Sequence, residues 1–200
     1  DYWVAGDNGT LLHTTTGGTT WSAELTDTYA SVNSMAMAGG TIVAAGEFGF
    51  LARKGAGGPW AYETSGVHRC VNWIRFANRQ DGLGVGQYGL VIRTTDGGSS
   101  WEEVSNGISG DSFYDVAFIG SKAWVVGDLG TIFYSSDGGA SWTQQTTSTI
   151  KTLLSLSFPD SLHGWAVGDQ GEILRTTDAG WTWSPQASGT TKVLFSVRFV

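Results

Sequence analysis

Cysteine is nearly missing from this chain: Cys70 stands alone among 200 residues. No intrachain disulfide can form, and no cysteine-based zinc site exists. Cys70 opens an apolar segment, 70–76, where a small buried thiol is expected. Proline is scarce at 3 residues, so turns must come from other chemistry, and lysine supplies only four of the 11 basic side chains. Acidic groups outnumber basic ones for a net charge of −7. This balance excludes a duplex nucleic-acid binder, which needs a basic stripe. No apolar run reaches the about eighteen residues of a membrane-spanning helix, so direct membrane insertion is not expected. His13, His68 and His163 are dispersed, without metal-ligand spacing. No Ser sits in a nucleophile elbow and no glycine loop leads into a helix, so no metal and no cofactor is expected.

Glycine and aromatic residues are abundant instead: 30 Gly, 10 Trp, 9 Phe and 6 Tyr. Much of the glycine falls in one recurring turn: Gly6-Asp7-Asn8-Gly9, Gly46-Glu47-Phe48-Gly49, Gly86-Gln87-Tyr88-Gly89, Gly127-Asp128-Leu129-Gly130 and Gly168-Asp169-Gln170-Gly171. Their first glycines lie 40, 40, 41 and 41 residues apart. A fixed period of that length, built from short apolar segments bounded by Gly and Asp, predicts four-stranded antiparallel propeller blades. The fold class is therefore all-β: a single β-propeller domain over 1–200, of about five blades. The blades are expected at 193–200 plus 1–25, then 30–64, 70–105, 113–146 and 152–187.

Residue 1 enters at the second strand of a blade, while 193–200 reads as a first strand. Paired together they complete a fifth blade and close the ring, removing exposed strand edges. The alternative is a segment of a longer tandem array.

Between the third and fourth strands runs a second repeated device. It reads Thr94-Thr95-Asp96-Gly97-Gly98-Ser99-Ser100-Trp101, then Ser135-Ser136-Asp137-Gly138-Gly139-Ala140-Ser141-Trp142, then Thr176-Thr177-Asp178-Ala179-Gly180-Trp181-Thr182-Trp183. The first repeat has Thr16 in place of the aspartate and ends in Trp21, while the second is shortened before Trp60. Asp accepts backbone N–H bonds within its own turn, Gly takes the conformations that other residues resist, and Trp plugs between sheets. Asp96, Asp137 and Asp178 are accordingly structural, as are Gly98, Gly139, Gly180, Trp101, Trp142, Trp183 and Trp21.

This loop resembles the Asp-box, or bacterial neuraminidase repeat. Its combined form with the preceding turn is similar to the photosystem II stability/assembly-factor type of propeller. The resemblance covers essentially the whole chain and implies the propeller fold and a protein partner. In that family an arginine patch is implicated in binding the photosystem reaction-centre protein. The motif also recurs in sialidases, sortilin-like receptors and glucanases, so fold alone does not assign function.

Arg53, Arg93 and Arg175 occupy one repeat position, just before the Asp-box, where the other blades have His13 and Tyr134. Repeat-equivalent positions lie around a ring and cannot converge as a sialidase triad does. Either each packs on a neighbouring Trp or pairs with a carboxylate, or together they form a basic patch for an acidic partner. No two carboxylates sit in a motif that implies a glycosidase pair, so an enzyme is not expected.

At the tips of the Gly-x-x-Gly turns stand Asn8, Phe48, Tyr88, Leu129 and Gln170. A tight hairpin favours Asn there, not Phe, Tyr or Leu. Phe48, Tyr88 and Leu129, with His68, Arg69 and Tyr29 on nearby links and the longest link at 105–113, form a candidate protein-recognition face. The competing reading is that the three apolar tips fold over the adjacent blade and seal the core rim. The leading function is thus a non-catalytic scaffolding propeller, extracytoplasmic, serving a membrane-associated or cell-surface complex. A glycan-binding module or diverged hydrolase is the second, and a repeat block of a large surface or filament protein the third.

Overall fold

The computed structural model describes residues 1–199 except 25, 27, 64, 65, 105, 106, 108 and 109. Residues 105, 106, 108 and 109 of the long 105–113 link are among the latter, so that part of the expected face is outside the described residues. Five antiparallel sheets follow one another along the chain. The first holds β1 (Tyr2–Ala5), β2 (Leu11–Thr14) and β3 (Ser22–Glu24). The second holds β4 (Val32–Ala38), β5 (Thr41–Gly46), β6 (Leu51–Lys54) and β7 (Ala61–Tyr62). The third runs β8 (Val71–Phe76), β9 (Gly82–Gly86), β10 (Val91–Thr94) and β11 (Glu102–Glu103). In the fourth are β12 (Phe113–Ile119), β13 (Lys122–Gly127), β14 (Ile132–Ser135) and β15 (Thr143–Gln145). The fifth comprises β16 (Leu153–Ser157), β17 (Gly164–Gly168), β18 (Ile173–Thr176) and β19 (Ser184–Pro185). Each sheet is a meander of neighbours in sequence, the blade expected from the period.

The second strands carry the core because they are apolar without alternation, as strands covered on both faces must be. Thr41–Gly46, Gly82–Gly86 and Lys122–Gly127 are buried almost throughout. Apolar clusters form between successive blades rather than within one. Trp124 of the fourth blade is fully buried and stacks on Phe158 of the fifth at 3.9 Å. Val43 and Ala45 pack with Val71, Ile74 and Ile92 across the second and third blades. Such ring pairs add about 0.5–1.5 kcal/mol beyond their area burial.

The first strands pack side by side, β4 on β8, β8 on β12 and β12 on β16. Each of β4, β8, β12 and β16 carries a bulge near its start, at Val32/Ser34, Val71/Trp73, Phe113/Asp115 and Leu153/Ser155. The bulge re-aims a side chain toward the next blade. Ser34 Oγ accepts from Ile74 N–H at 3.1 Å, and Asp115 Oδ2 from Leu156 N–H at 3.0 Å.

Two expectations change. The segment at 193–199 makes no strand and is not paired with β1, so the first sheet has three strands and the expected closing pair is not formed here. The segment instead docks on the fifth blade, where Leu194 N–H reaches Gly168 O at 2.9 Å and Val197 N–H reaches Ser155 Oγ at 3.3 Å. Cys70 is half-buried, not sealed in the core. It precedes β8, where its Sγ accepts from Asn33 Nδ2 at 3.1 Å. Burial raises the thiol pKa above its ordinary value, so its thiolate is disfavoured.

Candidate functional site

The Gly-x-x-Gly turns project from one side of the blades, each closed by the same bonds. In the second blade Gly46 N–H donates to Phe50 O at 3.0 Å and Phe50 N–H to Glu47 O at 2.9 Å. Glu47 N–H is held by Ser31 O at 3.0 Å, which ties the turn to the link entering its own blade. A Cβ at Gly49 would stand 1.8 Å from Val67 O, so only glycine fits where the following link crosses. Pinned on both sides, the tip residue is left-handed: φ is 53° at Asn8, 55° at Phe48 and Tyr88, and 54° at Leu129 and Gln170. That conformation costs roughly 1–2 kcal/mol for a side chain without a local hydrogen bond.

The three apolar tips do not recover this cost by packing. Phe48 is 76% exposed, Tyr88 61% and Leu129 62%, so their side chains stand off the rim rather than sealing it. Around Phe48 the link and outer strand add further aromatic surface. Tyr29, Phe48, Phe50 and Tyr62 line a cleft of about 450 Å³ between the link entering the second blade and that blade's own turn and outer strand, with Glu47 and Glu63 also lining it. Phe50 meets Tyr62 edge-on at 6.1 Å, Glu47 Oε2 accepts from Ser31 N–H at 3.1 Å, and Glu63 binds Arg53 at 2.6 Å. Phe50 and Tyr62 were invisible as site residues in the sequence. The only signal was the degraded second repeat, whose fourth strand carries Tyr62. His68 is exposed on the next link. Arg69 braces the neighbouring turn, donating from Nη1 to Tyr88 O at 3.1 Å and pairing with Glu103.

The three repeat-equivalent arginines stay apart, one to a blade, and each is engaged within its surroundings. Arg53 pairs with Glu63, and Arg93 with Glu102 at 3.3 Å while its Nε donates to Gly138 O of the next blade. Arg175 lies over the Trp165 ring at 5.4 Å. In the first blade His13 takes this place between Asp1 and Glu24, and Glu24 binds Lys54 at 2.5 Å. A second cleft of about 430 Å³ opens there, lined by Trp3, His13, Glu24 and Lys54. The Trp3 ring is stacked on His13 at 4.1 Å and lies 5.7 Å from the Lys54 ammonium, so it is no free platform for a sugar. Among the described residues no group of three His, Cys, Asp or Glu could hold a metal ion.

The Asp-boxes close on themselves. Asp137 Oδ1 accepts from Ser135 Oγ at 2.8 Å and Ser141 N–H at 2.9 Å, and Oδ2 from Ser141 Oγ at 2.6 Å. Asp96 and Asp178 repeat the pattern. The Ser141 hydroxyl, with the backbone bonds of the loop, lowers the Asp137 pKa to about 2. These carboxylates are consumed by their own backbone. Trp101 and Trp183 are buried plugs at 7% and 6%, whereas Trp21 is 42% exposed, against expectation. Each box packs on the preceding blade: a Cβ at Gly98 would meet Val43, and one at Gly139 would meet Leu83. At Gly18 it would meet only Trp21 of its own loop.

A family model for the photosynthesis system II assembly factor YCF48 matches residues 52–149, just under half of the chain. Among solved structures, YCF48 from Cyanidioschyzon merolae is 16% identical with a TM-score of 0.55, over 96% of this chain and 82% of that one. An ancestral GH74 enzyme is 15% identical with a TM-score of 0.80, over 95% of this chain but 30% of its own length. The WD40 repeats of RRP9 are 11% identical with a TM-score of 0.74, over 92% of this chain and 58% of theirs. No curated protein matches. At such identities the structures share only the fold. The chain is a BNR-type β-propeller, and within that class it resembles the photosystem II assembly factor.

Proposed function

We propose that this propeller is a non-catalytic protein-binding module that holds a partner chain on its turn face during assembly of a larger complex. The observation that carries the reading is the trio Phe48, Tyr88 and Leu129: bulky apolar side chains kept in left-handed backbone and 61–76% exposed. A strained, exposed apolar residue earns nothing for folding, and repetition on three consecutive blades points to use. The aromatic cleft beside Phe48 suits an extended segment with one apolar anchor, and its Glu47 and Glu63 edge suits a neutral or basic one. The matched family, whose description is that of an assembly factor, supports a protein as the partner. Tyr29, His68 and Arg69 flank the contact. Arg53, Arg93 and Arg175 serve the blades in this reading. The scarcity of lysine, with abundant Thr, Ser, Gly and Trp, supports an extracytoplasmic site of action beside a membrane complex.

The test is affinity capture from native membrane and envelope extract with the wild-type chain and with a Phe48→Ser/Tyr88→Ser variant. A stoichiometric protein partner should bind the first and be lost from the second, with the thermal midpoint of the variant not lowered. Capture that survives both substitutions would remove this face from the function.

A further inference from the structure

The cleft of the second blade lacks a group that the same place holds in the third and fifth. Ala30, Arg69, Asp111 and Lys151 stand at one repeat position, each two residues ahead of a first strand, β4, β8, β12 and β16. In the third blade Arg69 reaches to the turn, donating to Tyr88 O at 3.1 Å and pairing with Glu103 of the outer strand. In the fifth, Lys151 pairs at 2.7 Å with Glu172, the residue that follows the turn. Both line a cleft of about 620 Å³ together with Gln170 and Pro185. Each of these blades thus brings its own cation to a carboxylate beside its turn. The second blade has the carboxylate without the cation. Ala30 carries no charge, Glu47 Oε2 accepts from Ser31 N–H, and among the described residues no cation pairs with Glu47. Glu63, the other carboxylate of the cleft, is already matched by Arg53.

The walls change along with the cation. Where the fifth blade has Gln170, Glu172 and Pro185, the second has Phe48, Phe50 and Tyr62. Tyr29 joins them from the link, 90% exposed, and Tyr62 is 45% exposed. The Phe50 and Tyr62 rings meet at 63°, which makes a corner rather than a flat wall. The fourth blade has neither feature: Asp111 stands in the link, with Thr131 and Gln144 at the ring positions. A ring face attracts a cation placed within about 6 Å of it, and an unmatched carboxylate alongside adds to that attraction. A purely apolar occupant would take Glu47 out of water with nothing in return, and an acidic one would add like charge. The net charge of −7 draws a cationic segment from longer range as well.

We propose that the second-blade cleft receives a basic side chain, arginine before lysine, carried by an extended segment of the partner protein. The assignment rests on the reading of the turn face as a protein-binding surface and adds what that surface selects. The cation lies against the Tyr29 and Tyr62 rings and faces Glu47. The partner thus supplies from outside the charge that Arg69 and Lys151 supply from within. Arginine ranks first because its planar, weakly hydrated guanidinium stacks on aromatic faces. Phe48, at the turn tip, meets the apolar neighbour of that residue in the segment.

The probe is a random dodecapeptide phage library panned on the immobilised whole chain, with enriched peptides synthesised and their affinities read by fluorescence anisotropy. Enriched peptides should carry an arginine or lysine beside an apolar residue. Replacing the arginine by citrulline, or the lysine by norleucine, removes the charge and should weaken binding about tenfold. Glu47→Gln keeps an acceptor for Ser31 N–H; it should weaken the parent peptide to a similar degree and leave the uncharged peptide unaffected. Ala30→Arg offers the cleft a cation from the chain itself and should block the parent peptide, while Glu47→Gln decides the matter alone if that variant does not fold. Peptides that are lost on Phe48→Ser/Tyr88→Ser but show no basic preference would overturn the cation assignment and leave the turn face standing. So would a parent peptide bound equally by wild type and Glu47→Gln. Peptides indifferent to Phe48→Ser/Tyr88→Ser would overturn both readings. An empty selection would overturn the cation receptor, the turn face then being judged by its captured partner.

Discussion

Asp137 shows how much one carboxylate does inside a single loop. It takes hydrogen bonds from Ser135, Ser141 and the Ser141 backbone, and its pKa falls from 3.8 to about 2. Because the folded value lies below the unfolded one, the unfolded chain takes up the proton first as pH falls. The contribution is whole above about pH 4 and is lost by about pH 2. Asp137→Asn should therefore lower stability at neutral pH and flatten its decline across that window, as read by denaturant midpoints at several pH values. The first box supplies the converse. Thr16 offers one oxygen where Asp offers two, bonding Thr20 N–H and Thr20 Oγ1 at 3.0 Å each. Thr16→Asp should stabilise by about 0.5–1.5 kcal/mol in the same assay. Both were legible in the sequence, because the partners of an Asp-box lie within four residues.

The turn is the element on which the proposed function rests. Its glycines, its tight closure and its misplaced apolar tip could all be read from Gly-x-x-Gly spacing. The cleft beside it could not. Tyr29 comes from the link before the blade, Phe50 from the end of the turn and Tyr62 from β7, and they meet Phe48 only once link, turn and outer strand fold together. Since Leu129 pays for φ of 54° and remains 62% exposed, Leu129→Gly should raise stability by about 1 kcal/mol. The same variant should bind the captured partner more weakly. Stability gained together with affinity retained would show the tip to be idle.

Across the whole molecule, the blades are joined near the axis by a polar group that the sequence reading passed over. Asp115 is 2% exposed and accepts from Val116 N–H, Leu156 N–H, Ser155 Oγ and Arg198 Nη1 at 2.9–3.3 Å. It thereby links the fourth blade, the fifth blade and the docked segment. Its signal was an aspartate inside an otherwise apolar first strand, with Ser34 and Ser155 at the same repeat position. Asp115→Ala leaves buried donors without a partner and should cost about 2–4 kcal/mol in chemical denaturation. It should also release the 193–199 segment, seen as faster amide exchange at Val197.

The sequence by itself determined the blade. Turn, strand and Asp-box are built from contacts a few residues long, and glycine, aspartate and tryptophan at fixed offsets are enough to specify them. Only the tertiary structure decided which distant side chains meet: the aromatic cleft, the engaged arginines and the Asp115 junction. Those depend on residues from ten to more than eighty positions apart, such as Arg53 with Glu63 and Asp115 with Arg198. A repeat period sets such positions side by side, but the packing of each pair settles what fills the space.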